Sequence, residues 1–257
     1  MKFSRFSGIV AAATLFSMVS IPAIHATLKL LDPEYSFGTF READGTKRGH
    51  ARLVNVGDYP TTIADVRPSC GCTGAYYDDG VIAPGDTTIV SFDYNPTGRP
   101  GNFNKTVKVK EAGSNELQTI RLSGTVVGTP QTLSRNYPYE AGKIRLSTLN
   151  IDLNNVKSGA GRHAFVRIVN QSMDTVMPQW DNNDKALSIN VTPTKLAPGQ
   201  IATLGVYFNS KFEPRTGEVD YIIPVHADND TTVNVVIHTV VHPDSVSMQD
   251  KSNKLSK

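Results

Sequence analysis

The chain contains one sequence unit twice, at an offset of 114 residues. The segment IAPGDTTIVSFDYN at 82–95 recurs as LAPGQIATLGVYFN at 196–209. Upstream, the segment LVN that ends at Asn55 matches the segment IVN that ends at Asn170. A repeat of this length predicts two tandem copies of one domain, each large enough to bury its own core.

Apolar and polar residues alternate within each copy, as in Val90, Phe92 and Tyr94. A period of two indicates β-strands with one buried face. Glycine and proline pairs such as Asp79-Gly80 and Pro84-Gly85 separate the short segments and favour turns. No segment of the predicted mature chain shows a helical period with caps. We therefore predict an all-β fold of two tandem immunoglobulin-like β-sandwich domains.

The N-terminus has the layout of a secretory signal peptide, which we place at residues 1–26. Lys2 and Arg5 precede an apolar run at 6–24 that contains a late proline, and the small residues Ala23 and Ala26 lie near its end. An uncleaved membrane anchor is the alternative, because the run approaches the roughly 20 residues that span a bilayer. The proline favours cleavage, which predicts a mature chain that starts near Thr27 and has no stable membrane insertion.

Charge argues against a nucleic-acid partner. The chain has 26 basic and 24 acidic residues, and removal of the signal peptide leaves 24 of each. Nucleic-acid binding requires basic residues concentrated on one face. The one short cluster, Lys105, Lys108 and Lys110, is more typical of a solvated face or a protected sheet edge.

The repeat also sets the domain boundaries. We predict the first sandwich at 27–130 and the second, a degenerate copy, at 143–243. The segment 131–142 is rich in turn-forming residues and is interpreted as a linker. The polar tail 244–257 is predicted to be disordered.

The only two cysteines, Cys70 and Cys72, lie in the segment SCGCT. The second copy lacks them, so the fold does not require them, and a loop of about three residues gives a disulfide only about 1.5 kcal/mol. Gly71 is expected to let the backbone fold for such a bond, and Ser69 and Thr73 complete the motif. Four interpretations stay open: a local disulfide, a thiol redox pair, two free thiols, or a metal ligand pair for Cu(I).

Motifs of other chemistry are missing from the sequence. There is no Gly-x-Ser-x-Gly, no His-Glu-x-x-His and no phosphate-binding glycine loop, and the histidines show no paired metal spacing. Asp181 and Asp184, beside Trp180, are interpreted as a turn rather than a calcium loop. The sequence thus predicts no catalytic residue, no metal site, no cofactor and no enzyme activity.

Four segments of the first copy carry a recognisable combination of motifs: FGTF at 37–40, RLVNVGDYPTTIADVRPSCGCT at 52–73, IAPGDTTIVSFDYNP at 82–96 and GNFNKTVKV at 101–109. This combination resembles the bacterial domain-of-unknown-function family 1573, an immunoglobulin-like module related to Hydin and major-sperm-protein domains. The resemblance covers about 37–127, and the second copy looks like the degenerate partner of two-domain, exported members from Bacteroidetes-like bacteria. The resemblance implies a fold and an exported setting but no reaction.

These observations predict a non-enzymatic interaction or scaffold protein in the periplasm or cell envelope of a Gram-negative bacterium, which holds a protein partner through loops or a sheet edge. One alternative is a thiol redox or metal-handling protein centred on Cys70 and Cys72. Another is a pilus-type chaperone, which would need a cationic anchor between the domains, for which Lys143 and Arg145 are candidates. The sequence specifies neither the identity of the partner nor the oligomeric state.

Overall fold

A computed structural model describes residues 27–227 and 231–243. The predicted signal peptide and the predicted tail lie outside these described residues, so both stay predictions. Within the two described ranges, no helix has the length and apolarity needed to cross a membrane.

The first domain consists of eight strands in two four-stranded sheets. They are β1 (Leu28–Leu30), β2 (Glu34–Arg41), β3 (Lys47–Asn55), β4 (Ile63–Pro68), β5 (Thr73–Tyr77), β6 (Thr87–Tyr94), β7 (Gly101–Glu111) and β8 (Leu117–Val127). The sheet orders are β1-β3-β6-β5 and β2-β8-β7-β4. Both sheets contribute to one core, in which Val90 and Phe92 pack with Val107, Ile120 and Leu122. The alternating residues of the sequence are therefore the buried ones.

Within residues 139–227 and 231–243, the second domain has nine strands in a five-stranded and a four-stranded sheet. They are β9 (Tyr139–Ala141), β10 (Ile144–Leu146), β11 (Asn150–Lys157), β12 (Gly161–Asn170), β13 (Gln179–Trp180), β14 (Leu187–Thr192), β15 (Ile201–Asn209), β16 (Gly217–His226) and β17 (Thr232–His242). The sheet orders are β14-β15-β12-β10-β9 and β11-β17-β16-β13.

Strands β10–β17 repeat β1–β8 one for one. β10 pairs antiparallel with β12 as β1 pairs with β3, and β11 runs parallel to β17 as β2 runs parallel to β8. Only β9 has no counterpart in the first domain. The structure confirms the predicted all-β fold of immunoglobulin-like sandwiches.

Both parallel strand pairs contain a bulge at the same place. The register between β2 and β8 shifts around Gly38, which has a φ of 68°, and the register between β11 and β17 shifts around Asn154, which has a φ of 57°. Glycine and asparagine are the residues that enter this left-handed region at the lowest cost. The bulge accounts for the glycine in the FGTF segment.

The interdomain segment (residues 128–142), most of which we interpreted as a linker, is folded. It contains a short helix, α1 (Pro130–Ser134), and ends in β9, which pairs with β10. The Thr129 side chain caps α1 by accepting a hydrogen bond from the Thr132 amide at 3.2 Å. We predicted no helix here because five residues are too few to show a helical period, although threonine followed by proline is typical of a helix start.

Glu42 of the first domain holds the beginning of the interdomain segment. It lies in a 3₁₀ turn after β2, and its carboxylate accepts hydrogen bonds from the Thr129 amide at 2.9 Å and the Thr132 hydroxyl at 2.8 Å. It also accepts one from the Gly98 amide at 2.7 Å. Burial raises the pKa of Glu42, but these hydrogen bonds outweigh it and lower the pKa overall. One buried carboxylate thus connects two loops of the first domain to α1.

The second domain holds the other part of the segment. Leu133 and Tyr137 pack against Val169 of β12, and the Arg167 guanidinium lies 5.8 Å from the centre of the Tyr137 ring.

The two domains also contact each other directly. Gly199 lies so close to β8 that a Cβ there would be 3.0 Å from the Val126 carbonyl oxygen. The two domains therefore touch end to end.

Candidate functional site

The SCGCT loop connects β4 to β5 at the end of the first domain that faces the second. Ser69 ties the loop to β7, because its amide donates to the Thr106 carbonyl at 2.8 Å and its hydroxyl accepts from the Thr106 amide at 3.0 Å. Further along, the Cys72 carbonyl accepts a hydrogen bond from the Asn95 amide at 2.9 Å. The loop is therefore bonded to β7 of one sheet and to the residue that follows β6 of the other sheet.

The structure joins Cys70 and Cys72 in a disulfide, with their Cα atoms 5.3 Å apart. Thr73 lies beside the bond, with its hydroxyl 3.5 Å from the Cys70 sulfur. Gly71 differs from our expectation: its φ is not in the left-handed region, and a Cβ there would meet nothing within 4 Å. The close approach of the cysteines therefore needs no special backbone freedom at Gly71.

The disulfide covers an aromatic cluster at the end of the sandwich. Cys72 is only 8% exposed and packs with Phe40, Tyr94 and Phe103, and the partly buried Cys70 packs against the same cluster. The Tyr94 and Phe103 rings are stacked, with their centres 3.8 Å apart. Sulfur contacts aromatic rings favourably. This packing favours the interpretation of the pair as a local clip that closes the core.

Burial also bears on the redox interpretation. Thiol–disulfide exchange requires a thiolate to reach one sulfur of the disulfide. Because Cys72 is buried, an attacking thiolate has access mainly to Cys70.

Within the part of the chain that the structure describes, no group of three or more histidine, cysteine, aspartate or glutamate side chains is placed to hold a metal ion.

The corresponding end of the second domain lacks this aromatic stack. Phe208 occupies the position of Tyr94, but the position of Phe103 is taken by Val219, which pairs with Thr239 as Phe103 pairs with Gly124. The region that replaces the cysteines contains Trp180, which is half-buried against the second core. The disulfide thus occurs in the domain that has an aromatic cluster to cover.

The acidic residues beside Trp180 form local turns. The Asp184 carboxylate accepts a hydrogen bond from the Ala186 amide at 2.8 Å, and the Asn182 side chain accepts one from the Asp184 amide at 3.1 Å. Asn182 also donates to the Leu187 carbonyl at 3.0 Å. These contacts agree with our interpretation of the segment as a turn.

Arg145, a candidate anchor of the chaperone alternative, is buried and bonded to its own chain. It donates to the Tyr137 carbonyl at 2.7 Å, to the Pro138 carbonyl at 3.0 Å and to the Glu140 carboxylate at 2.7 Å. The other candidate, Lys143, forms an ion pair with Asp174 at 2.8 Å. Arg145 therefore stabilises the interdomain segment, which argues against a role as an anchor for a partner's C-terminus.

A buried asparagine connects two loops at the opposite end of the first domain. The Asn55 side chain donates to the Tyr59 carbonyl at 2.8 Å and the Ile82 carbonyl at 3.0 Å, and accepts from the Gly57 amide at 2.9 Å. We call the loops that it connects, residues 56–62 and 78–86, the asparagine end of the first domain.

Asn170 makes the same three hydrogen bonds in the second domain. Its side chain donates to the Asp174 carbonyl at 2.7 Å and the Leu196 carbonyl at 3.0 Å, and accepts from the Ser172 amide at 2.9 Å. The asparagine end of the second domain comprises residues 171–178 and 193–200. Our sequence comparison aligned the two asparagines but did not predict this role, because their partners are carbonyl groups that leave no pattern in the sequence.

A test of the clip replaces Cys70 and Cys72 together by serine. We expect the free energy of unfolding of the first domain to fall by about 1 to 2 kcal/mol, because the closed loop is short. Denaturant unfolding with and without reductant measures this loss, and reduction of the wild type should reproduce most of it. Stability unaffected by either treatment, together with loss of a cellular function, would contradict the clip and favour the redox interpretation.

One family model matches the chain. It is described as "Protein of unknown function (DUF1573)" and covers residues 28–126, which confirms the resemblance found in the sequence. No curated protein matches the chain.

Solved structures show weak similarity. A protein of unknown function from Porphyromonas gingivalis W83 is 14% identical over 84% of this chain and 100% of that chain, with a TM-score of 0.34. PapD-like (ASH) domain 7 of human CEP192 is 13% identical over 48% of this chain and 99% of that chain, with a TM-score of 0.34. The complex of Dpr2 Ig1-Ig2 with DIP-Theta Ig1-Ig3 gives 10% identity over 84% and 65% of the two chains, with a TM-score of 0.43.

Similarity of this degree carries no statement about function. The family match is of a different kind, because its range begins at the first strand, β1, and ends within the last strand, β8. Because the match spans both sheets of the first sandwich, residues 28–126 belong to the DUF1573 family.

Proposed function

We propose that the chain is a non-enzymatic, exported interaction module of the bacterial cell envelope, and that its protein partner binds the asparagine end of the first domain. The signal-peptide pattern at 1–26 supports export. The equal numbers of acidic and basic residues after Thr27 support a protein partner rather than a nucleic acid.

One observation carries the proposal: the asparagine end of the second domain already packs against another sandwich of this chain. In the second domain, Gln171 and Ser172 of this end line a cleft together with Arg41 and Val127 of the first domain. Gly199, from the other loop of the same end, lies against β8. The second domain thus uses these loops to bind the sandwich that precedes it.

The same end of the first domain exposes apolar side chains instead. Val56 is 61% exposed, Tyr59 is 80% exposed and Val81 is 74% exposed. All three lie on the loops that Asn55 holds together. Apolar and aromatic side chains on ordered loops are typical of the centre of a protein interface, so the geometry suits an incoming protein surface.

Site-specific photo-crosslinking in the native organism tests this proposal. A photoreactive phenylalanine derivative at Tyr59 should give one discrete crosslinked protein, because tyrosines at an interface centre lie against the partner. The same derivative at Phe165, an exposed aromatic residue of the second domain, is the matched control. Equal crosslinking from both positions, or none from Tyr59, would contradict the proposal.

The captured protein then allows an affinity measurement. The triple variant Val56→Ser, Tyr59→Ser and Val81→Ser should weaken its binding by about thirtyfold or more. Because all three side chains are exposed, thermal stability should change little. The triple variant Phe165→Ser, Phe212→Ser and Ile222→Ser, which changes exposed apolar residues of the second domain, should bind normally.

A further inference from the structure

The Glu111 carboxylate, at the end of β7, is buried and surrounded by hydrogen-bond donors. It is 5% exposed, and it accepts from the Thr27 backbone nitrogen at 2.6 Å and the Leu28 amide at 3.1 Å. The Thr61 hydroxyl donates to it at 2.7 Å, and the Thr27 hydroxyl donates as well. Two of these four donors belong to the first described residue of the chain.

Within the described part of the chain, no basic side chain forms an ion pair with this carboxylate. Among the ion pairs of residues 27–227 and 231–243, none includes Glu111. Burial raises the pKa of Glu111, but the hydrogen bonds from Thr27, Thr61 and Leu28 outweigh burial and lower the pKa overall. The group is therefore ionised at neutral pH, and a buried charge without a counter-charge is costly.

We infer that Glu111 is the binding site for the α-ammonium group of a mature chain that begins at Thr27. Hydrolysis of the peptide bond between Ala26 and Thr27 adds one water molecule, which leaves a carboxylate on Ala26 and an ammonium group on Thr27. The Thr27 nitrogen is the atom that lies 2.6 Å from the carboxylate. Cleavage thus turns a neutral amide donor into the missing counter-charge, and charge-assisted hydrogen bonds are the stronger kind.

The surroundings of Thr27 fix the position of this nitrogen. The Thr27 carbonyl accepts a hydrogen bond from the Val56 amide at 2.9 Å. Gly57 lies so close that a Cβ there would be 2.6 Å from the Thr27 methyl carbon. The Gln118 side chain accepts from the Leu30 amide at 2.7 Å and so holds the strand that follows.

The second domain provides an internal comparison. Lys143 occupies the position of Thr27, since its carbonyl accepts from the Gln171 amide as that of Thr27 accepts from the Val56 amide. In the second domain, the residues of β9 precede Lys143 in the chain, so Lys143 is not a terminus. Lys110 of β7 pairs with Leu117 as His226 of β16 pairs with Thr232, so the next residue, Glu111, corresponds to Ala227, a partly buried apolar residue. The carboxylate is therefore present only in the domain in which cleavage is predicted to create a terminus.

The experiment compares two forms of the exported chain, one that begins at Thr27 and one that retains Ala26. We expect the unfolding equilibrium constant of the first domain to be lower by about tenfold or more for the Thr27 form. Glu111→Gln should remove this difference between the two forms. The matched control, Glu116→Gln, changes an exposed carboxylate of the next loop and should preserve the difference. Equal stability of the two forms, or a difference that persists in Glu111→Gln, would overturn the inference.

A second measurement does not depend on the folding of a variant. Acetylation of the α-amine by dilute acetic anhydride should be at least about tenfold slower in the Thr27 form than in the Ala26 form, because a bound ammonium is a poor nucleophile. Equal rates would overturn the inference.

The inference depends on the proposed export but not on the partner-binding surface, so the two fail separately. Mass spectrometry of the chain purified from its native organism tests whether it is exported and cleaved before Thr27. A mature N-terminus at Thr27 supports the inference, and any other N-terminus overturns it without affecting the crosslinking result.

Discussion

Replacement of Asn55 by leucine is expected to lower the free energy of unfolding of the first domain by about 3 kcal/mol or more. Leucine has nearly the same shape, so the loss arises from the groups that are left behind. The carbonyls of Tyr59 and Ile82 and the amide of Gly57 would lose their partner. Each buried polar group without a partner costs about 1 to 3 kcal/mol.

Two further substitutions make the Asn55 test specific. Asn170→Leu should produce a loss of similar size in the second domain, because Asn170 makes the same three hydrogen bonds and accepts one more from the Ser172 hydroxyl at 2.8 Å. Asn104→Leu, on the exposed face of β7, should change stability by no more than about 0.5 kcal/mol. Denaturant unfolding measures all three. If Asn55→Leu loses little stability while Asn170→Leu loses the expected amount, the backbone groups of the first-domain loops have found other hydrogen-bond partners.

Replacement of Glu213 by glutamine is expected to destabilise the second domain by about 2 kcal/mol at pH 7. The Glu213 carboxylate is buried and accepts hydrogen bonds from the Arg215 side chain at 2.8 Å, the Arg215 amide at 2.8 Å and the Tyr221 hydroxyl. The Arg215 guanidinium first, and the Tyr221 hydroxyl with it, outweigh burial and lower the pKa of Glu213 to about 2. Because Arg215 is half-exposed, solvent screens part of this stabilisation.

The same network predicts the direction of a pH effect. The folded pKa of Glu213 is below its usual value of 4.5. The stabilisation that the ionised Glu213 gives to the folded second domain is therefore fully present above about pH 5 and is lost as the pH falls toward about 2. The stability difference between the wild type and Glu213→Gln should shrink over this range. The control Glu218→Gln, at an exposed position of the following strand β16, should show no such convergence, and a difference that is constant with pH would contradict the prediction.

The fold could be predicted because its determinants are local or repeated. The alternation of Val90, Phe92 and Tyr94 follows from strand geometry alone. The position of the SCGCT loop against aromatic rings could not be predicted, because Phe103 and Tyr94 come from different strands and meet only in the folded sandwich. Glu42 is a similar case, since it contacts Thr129 across 87 positions of sequence.

The folded interdomain segment has a mechanical consequence. Glu42 holds the start of α1, Arg145 holds the residues that follow it, and β9 continues directly into the second sheet. No extended tether is left between the sandwiches, so the folded segment sets the distance between them. A protein bound at Tyr59 would therefore lie at a constant distance from any structure that binds the second domain.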